Sequence, residues 1–341
     1  MASPASQRIL VVGPSWVGDM VMAQSLFITL QQRYPSALID VVAPQWSGDL
    51  LGRMPEVNDT IEMPLGQGQF EPGVRYRLGQ SLQMRHYDQA IIIPRSWKSA
   101  IVPAAAKIPQ RIGYRGEMRY GLLNDIRPLD KSVLTQTVQR YVSLGLASDA
   151  SLPPDAIPPP HLTIDLANQS KLMAQFSLNI DLPVVGFMPG AEYGPAKCWP
   201  VEYYGELASR LIAKGYQVWL FGSPRDQPSC AAIAEIAPLA VDLSGKTKLV
   251  DAVDLIALCK LVVCNDSGLM HIAAATGRHV VALYGSSTPD YTPPQTEQVD
   301  ICYLGLSCSP CFERECPRGD LQCLRNITVD AIFEHCLAVK W

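Results

Sequence analysis

Three polar segments, each directly after a short apolar run, carry the side chains best suited to chemistry. The first is Gly13-Pro-Ser-Trp-Val-Gly18-Asp19, a loop that contains two glycines and ends in a carboxylate. The spacing of its glycines differs from the G-x-G-x-x-G dinucleotide fingerprint. At the start of a helix, the dipole keeps Asp19 ionised, which makes this residue a candidate general base. Capping of the helix by Asp19 is the alternative.

The second segment is Pro189-Gly-Ala-Glu-Tyr-Gly-Pro-Ala-Lys197, which combines small residues with a lysine. Small residues allow the backbone to approach a diphosphate closely. The ammonium group of Lys197 can then neutralise phosphates as they depart. A lysine that is simply solvated is the alternative.

The third segment is Cys264-Asn-Asp266-Ser-Gly-Leu-Met-His271, in which an apolar strand runs into a polar turn and a new helix. Free backbone N–H groups at a helix start predict an anion site, here formed by Ser267, Gly268 and Leu269. Because Asp266 repels phosphate, we expect it to accept hydrogen bonds from sugar hydroxyls. The alternatives are a helix cap for Asp266 and a packed core histidine for His271.

Four cysteines near the end of the chain have the spacing C-x₂-C-x₄-C-x₆-C. Four thiols this close could hold zinc in a knuckle-like arrangement, although no histidine completes a familiar signature. Reduced or adventitiously paired thiols are the alternative, and we expect any metal held there to be structural only. The four residues are Cys308, Cys311, Cys316 and Cys323.

The composition is that of a globular protein with two domains. The chain has 341 residues, of which 48% are hydrophobic, and this length exceeds what one ordinary core needs. A net charge of −4 argues against general binding of nucleic acid. The apolar run before Pro14 is too short for a signal peptide or a membrane span. We therefore expect a cytoplasmic protein with no transmembrane segment and with reduced cysteines.

One stretch of the chain is strongly basic, although the net charge of the whole chain is negative. Arg95–Arg127 holds seven basic residues and two acids, a local net charge of +5. Such a concentration of positive charge can steer an anionic ligand to the surface. A solvated face of helices and loops is the alternative.

Apolar runs alternate with amphipathic segments, before and again after the proline-rich segment Ser151–Pro160. Proline interrupts helices and central strands, so we expect a domain boundary near this segment. The expected strands are Arg8–Gly13, Leu38–Ala43, Gln89–Ile93, Arg111–Tyr114, Pro183–Met188, Gln217–Phe221, Leu261–Cys264 and Val280–Tyr284. The expected helices are Asp19–Arg33, Val74–Arg85, Ser96–Ala106, Val201–Ala213, Asp226–Ile236, Val250–Leu258 and Gly268–Ala275. The alternation predicts an α/β fold of two Rossmann-like parallel-sheet domains, residues 1–165 and 166–341, facing a central cleft.

Taken together, these segments resemble the heptosyltransferase family, glycosyltransferase family 9. The similarity runs from about Arg8 to the end of the chain. The blocks that carry it are Gly18-Asp19, Pro189-Gly-Ala with Lys197 and Trp199-Pro200, Asn265–His271, and Tyr284-Gly285 followed by Ser-Ser-Thr-Pro. Within the family, Gly13–Met20, Arg115–Asp125 and Gly190–Lys197 are more similar to the branch that adds the second heptose than to the branch that adds the first.

The resemblance implies a GT-B fold and an inverting transfer of heptose from ADP-L-glycero-D-manno-heptose to the first heptose of the Kdo2-lipid A inner core. The acceptor lies at the inner face of the inner membrane, where the enzyme is expected to be peripheral. The resemblance implies no cofactor and no bound metal, and the sequence contains no Asp-x-Asp.

The resemblance also assigns roles to residues. By motif position Asp19 is the base, Lys197 and Ser267–His271 hold the diphosphate, and Asp266 contacts the donor heptose. Asp226 and Thr247 fall near the positions that contact ribose and adenine. The donor belongs mainly to the second domain and the acceptor mainly to the first. The basic residues expected to bind the anionic acceptor are Arg95, Lys98, Arg115 and Arg119.

Three alternatives stay open at this point. One is another heptosyltransferase of the same family, and the second is a nucleotide-sugar epimerase with the same two-domain fold. The third is a binding module for sugar nucleotides that has no catalytic activity.

Overall fold

The computed structural model describes residues 7–66 and 68–339. Its contacts divide the chain into two compact units, with the division between Pro160 and His161. The proline-rich segment Ser151–Pro160, which contains no helix or strand, leads directly to this division. The first six residues lie outside the described part of the chain. They belong to the stretch before Pro14 from which we expect no signal peptide, so that expectation is not tested there.

The first unit contains a six-stranded parallel sheet. Its strands are β1 (Arg8–Val12), β2 (Leu38–Pro44), β3 (Val57–Met63), β4 (Gln89–Ile92), β5 (Gln110–Tyr114) and β6 (Asp125–Arg127). Its α-helices are α1 (Val17–Arg33), α2 (Gly48–Leu51), α3 (Pro72–Ser81), α4 (Ile101–Ala105) and α5 (Thr137–Gly145). Short 3₁₀ turns lie at Gln45–Ser47, Gln83–Arg85 and Trp97–Ala100.

The second unit contains another six-stranded parallel sheet. Its strands are β7 (Val184–Met188), β8 (Gln217–Leu220), β9 (Val241–Asp242), β10 (Leu261–Asn265), β11 (His279–Tyr284) and β12 (Val299–Tyr303). Its α-helices are α6 (Leu166–Gln175), α7 (Val201–Ala213), α8 (Gln227–Ile236), α9 (Leu249–Ile256), α10 (Gly268–Ala275), α11 (Gln322–Arg325) and α12 (Val329–Ala338). Its 3₁₀ turns are Pro195–Lys197 and Pro224–Asp226.

Both sheets have the same doubly wound topology. The strand orders are β3-β2-β1-β4-β5-β6 and β12-β11-β10-β7-β8-β9. In each order the direction of winding reverses once, between β1 and β4 in the first sheet and between β7 and β10 in the second. Ligands of such sheets bind beyond the carboxyl ends of the strands at this reversal. The two sheets confirm the predicted α/β fold of two Rossmann-like domains.

Burial explains why the central strands form. All five residues of β7 and of β10 are buried, as expected for strands covered by helices on both faces. In the first unit, α1 packs closely on α5, since a Cβ atom on Gly145 would lie 2.6 Å from a methyl group of Leu26. None of the helices in the described ranges is long and apolar enough to cross a membrane.

Candidate functional site

The loops after β7 and β10 are joined by one buried side chain, Asn265, the last residue of β10. Its amide nitrogen donates to the carbonyl of Pro189 at 2.7 Å, and its amide oxygen accepts from the backbone N–H of Trp199 at 3.0 Å. The same oxygen accepts from the hydroxyl of Tyr204 at 3.2 Å. Asn265 therefore fixes both ends of the loop that carries Lys197 against the strand that carries Asp266.

Lys197 and Asp266 meet at the winding reversal of the second sheet. The Nζ atom of Lys197 donates to Oδ2 of Asp266 at 2.5 Å, and the Asp266 side chain is 5% exposed. Asp266 also accepts from Ser287 Oγ at 2.5 Å and from Thr292 Oγ1 at 3.3 Å. A carboxylate offers about four lone-pair positions, so these three donors leave room for about one further hydroxyl. The ring of Tyr193 lies 5.2 Å from the Lys197 ammonium.

The turn after Asp266 places a helix start beside this ion pair. Ser267 is the N-cap of α10, with Gly268 and Leu269 as its first residues. The Ser267 hydroxyl makes no capping bond, and it is buried without a partner in the described structure. The first N–H groups of a helix have no intrahelical acceptor. This turn therefore has the donors that an anion site requires.

His271 lies one turn further along α10 and is 5% exposed. Burial lowers the pKa of His271 to about 4; nearby Asp266 opposes this effect and Lys197 adds to it. The imidazole is therefore neutral at pH 7. A neutral imidazole can still donate one hydrogen bond.

Asp226 and Thr247 follow the outer strands β8 and β9 of the same sheet. Asp226 completes a capping box with Ser223, the N-cap of its 3₁₀ turn, because Asp226 Oδ2 accepts from the backbone N–H of Ser223 at 2.7 Å and from its hydroxyl at 2.8 Å. A Cβ atom on Gly190 would lie 2.1 Å from Asp226 Oδ1. Asp226 is thus brought against the loop that carries Lys197. Thr247 lies half-buried in the loop before α9.

In the first unit, Asp19 is the third residue of α1 and is half-buried. The helix begins at Val17 after Trp16, so Asp19 does not occupy the N-cap position that the alternative reading required. Its Oδ1 atom accepts from the hydroxyl of Tyr141, on α5, at 2.9 Å. No motif in the sequence points to this partner, which lies 122 residues away.

A cavity of about 740 Å³ opens at the carboxyl ends of β1 to β4 in the same unit. Residues from the loops after all four strands line it, including Ser15, Trp46, Leu65, Ser96 and Lys98. Its position beside the β1–β4 reversal is where this topology binds ligands. The cavity is large enough for a sugar-sized ligand.

The basic residues expected to bind the acceptor fall into two groups. Arg95 and Arg115 are exposed, and Lys98 lines the cavity while its Nζ atom donates to the carbonyl of Gln69 at 3.3 Å. Arg119, in contrast, is 1% exposed.

The guanidinium of Arg119 is occupied by internal acceptors. It donates to the carbonyls of Pro94 at 2.7 Å and Tyr114 at 2.6 Å, and to Ser99 Oγ at 3.3 Å. Burial, with a smaller effect from the nearby Arg95, lowers the pKa of Arg119 to about 10. A direct acceptor contact, as expected from the sequence, does not fit this buried position. Arg119 instead supports the loops that carry the exposed basic residues.

The four cysteines near the end of the chain line one small cavity of about 20 Å³ and are free thiols. Within the described ranges, no group of three or more His, Cys, Asp or Glu side chains is arranged to hold a metal ion. The segment that carries these cysteines packs against the Lys197 loop, where the Ala196 N–H donates to the carbonyl of Arg314 at 3.0 Å. It supports that loop from the outside.

Comparison with known proteins gives a consistent result. Residues 75–322 match the model of glycosyltransferase family 9 (heptosyltransferase). Lipopolysaccharide heptosyltransferase 2 of Escherichia coli strain K12 is 49% identical over 336 residues, covering 96% of this chain and 97% of the relative. Lipooligosaccharide heptosyltransferase 2 of Haemophilus influenzae is 50% identical over 308 residues, covering 87% of this chain and 88% of the relative.

Solved structures agree with the sequence relatives. The structure of the E. coli ADP-heptose LPS heptosyltransferase II matches with a TM-score of 0.87 and 46% identity, over 97% of this chain and 98% of that one. This likeness confirms the predicted GT-B fold class. A family 9 glycosyl transferase from Veillonella parvula matches with a TM-score of 0.77 over 86% of this chain and 85% of that one. At 19% identity, this second likeness shows the fold alone.

Proposed function

The chain belongs to glycosyltransferase family 9, and from this premise we propose that it transfers heptose from ADP-L-glycero-D-manno-heptose to the first heptose of the Kdo2-lipid A inner core. The observation that carries the proposal is the Lys197–Asp266 pair beside the free helix start at Ser267. A fixed cation and unpaired N–H groups suit a nucleotide diphosphate that becomes more negative as its sugar leaves. The relatives reported above are named for heptose transfer, and none of them is named as an epimerase.

We assign the donor to the second unit. Lys197 and the turn from Ser267 to His271 neutralise the diphosphate, and the remaining acceptor position on Asp266 takes one hydroxyl of the donor heptose. Asp226 and Thr247 follow the next two strands, β8 and β9, and we assign them to ribose and adenine. Support for Asp226 comes from its contact with Gly190 in the diphosphate loop.

We assign the acceptor and the base to the first unit. An alcohol is a poor nucleophile at neutral pH, so Asp19 removes the proton of the acceptor hydroxyl as its oxygen bonds to the anomeric carbon. The bond from that carbon to the ADP oxygen breaks in the same step, which inverts the anomeric centre. Tyr141 orients the Asp19 carboxylate, and the 740 Å³ cavity together with Arg95, Lys98 and Arg115 takes the anionic acceptor.

We further propose that the enzyme works in the cytoplasm, peripherally at the inner face of the inner membrane. The proposed acceptor is a lipid, and a lipid remains in its bilayer while its sugar is extended. The exposed basic residues of the first unit support this placement, since the cytoplasmic leaflet is negatively charged.

An ADP-release assay with ADP-heptose tests the function. Release that depends on a truncated lipopolysaccharide ending in its first heptose is the expected result. Isomerisation of the donor sugar without acceptor would indicate an epimerase. Binding of ADP-heptose without turnover would indicate a sugar-nucleotide binding module with no catalytic activity. Equal ADP release with an acceptor that lacks the first heptose would indicate a different heptosyltransferase.

A further inference from the structure

Three loops of the first unit form one continuous surface, which we call the loop face: Gln69–Phe70, Arg95–Lys98 and Arg115–Tyr120. The rings of Phe70 and Trp97 lie 5.7 Å apart, which joins the first two loops. The backbone N–H of Trp97 donates to Glu117 Oε2 at 2.6 Å, which joins the second loop to the third.

The loop face is held firmly from below. The Arg119 side chain is buried under it and donates to the carbonyls of Pro94 and Tyr114, the residues that directly precede the second and the third loop. Gly116 crosses so close to Arg95 that a Cβ atom at Gly116 would lie 2.3 Å from the Arg95 carbonyl oxygen. The side chains above this support are therefore presented by a fixed backbone.

The side chains presented outward are apolar, aromatic and basic. Met118 is 84% exposed and Tyr120 is 68% exposed. Phe70 and Trp97 are exposed as well. The exposed Arg95 shares its loop with Trp97, and the exposed Arg115 shares its loop with Met118 and Tyr120. Large apolar side chains with this exposure are costly in water unless a partner covers them. Aromatic side chains mixed with arginines suit the interface of a lipid bilayer, where rings sit among headgroups and cations meet lipid phosphates.

We propose that the loop face docks on an anionic lipid bilayer. Charge favours this occupant over a protein, because the loop face presents three basic side chains, Arg95, Lys98 and Arg115, and one acid, and the acid, Glu117, is bonded to Trp97. The inference rests on the proposed function in one respect, the lipid-linked acceptor. Ser96 and Lys98 belong to the loop face and also line the 740 Å³ cavity, so a sugar attached to a membrane lipid enters the cavity from the docked face.

The test uses the full chain and vesicles that contain no acceptor. Sedimentation with phosphatidylcholine vesicles, with and without phosphatidylglycerol, measures the bound fraction at low and high salt. We expect binding only to the anionic vesicles. Met118→Ser with Tyr120→Ser should lower the partition coefficient by about tenfold. Arg95→Gln with Arg115→Gln should lower it by about tenfold or more, and this loss should disappear at high salt.

Met84→Ser is the matched control, because Met84 is 80% exposed and lies before the amino end of β4, at the opposite edge of the sheet from the loop face. It should bind vesicles like the wild type. The Met118/Tyr120 variant should still glycosylate a water-soluble acceptor without its lipid chains, which separates docking from transfer. Wild-type protein that ignores anionic vesicles would overturn the proposal. The proposal would also be overturned if Met84→Ser lost as much vesicle binding as the Met118/Tyr120 variant. A Met118/Tyr120 variant that changed only the oligomeric state would overturn it as well.

Discussion

Lys197 Nζ donates to Asp266 Oδ2 at 2.5 Å, although 69 residues separate them in the sequence. The two residues follow β7 and β10, the neighbouring strands between which the winding of the second sheet reverses. Asn265 ties the Lys197 loop to the same strand end. The ammonium is therefore held in position before any donor arrives, and its orientation costs little free energy when charge develops on the diphosphate.

Lys197→Ala should lower kcat by on the order of 10²-fold, because the lost cation stabilises charge that grows in the transition state. Steady-state kinetics with varied ADP-heptose measures the effect. Lys214→Ala, at an exposed lysine after α7, is the control and should be silent. A change in the donor KM with kcat intact would show that Lys197 only binds the ground state.

Asp266→Asn tests whether the carboxylate acts through Lys197. The amide cannot anchor the ammonium as a charge partner, so kcat should fall by about tenfold or more. In the double variant with Lys197→Ala, the total loss should be well below the sum of the two single losses, since the two residues share one interaction. Fully additive losses would mean that Asp266 acts independently, through the donor sugar.

The central strands could be predicted from the sequence because they are apolar on both faces, as β1, β4, β7 and β10 are. The edge strands were missed for the opposite reason. β3 reads VNDTIEM and is mostly half-exposed, and β12 reads VDICY and has no buried residue. Two missed helices did carry a start signal, because the side chains of Asp165 and Thr328 cap α6 and α12.

Some features of the candidate site could likewise be predicted from the sequence, and others could not. Lys197 and Asp266 could be expected to approach each other, because the carboxyl ends of parallel central strands lie at one edge. Their supports, Ser287 and Thr292, follow another strand, β11. Ser287 stands in the Ser-Ser-Thr-Pro block, but that block does not show which residue its hydroxyl bonds, and Thr292 stands outside it. Arg119 was expected at the surface, since sequence shows the type of a side chain and not its burial.

His271 should make stability depend on pH in mildly acidic solution. Burial lowers its pKa from 6.5 to about 4, so folding favours the neutral ring. The stability contributed by the neutral ring is fully present above pH 6.5 and is lost as the pH falls towards 4. The free energy of unfolding should fall by on the order of 3 kcal/mol over this range. Denaturant unfolding of the wild type and of His271→Gln, compared across this range, measures it. The exposed His161→Gln serves as the control, and parallel curves for all three proteins would refute the assignment.

Truncation of Arg119 should affect stability, whereas truncation of Arg115 should affect acceptor binding. Arg119→Ala leaves buried carbonyls without donors and should lower the free energy of unfolding by about 3 kcal/mol. Arg115→Ala, at an exposed position, should leave stability unchanged and raise the acceptor KM at low salt more than at high salt. Thermal unfolding and acceptor titrations separate the two effects. An unchanged melting temperature for Arg119→Ala would contradict the supporting role.

Asp19→Asn is the decisive test of the general base. The substitution keeps the size of the side chain and an oxygen that can accept from Tyr141, so the fold should lose less than about 1 kcal/mol from the helix-dipole interaction. The amide cannot take a proton, so kcat should fall by on the order of 10²- to 10⁴-fold while donor affinity is kept. Tyr141→Phe, which removes the orienting bond, should lower kcat by about fivefold. Turnover of Asp19→Asn close to the wild-type rate would move the search for a base to other polar groups around the acceptor cavity.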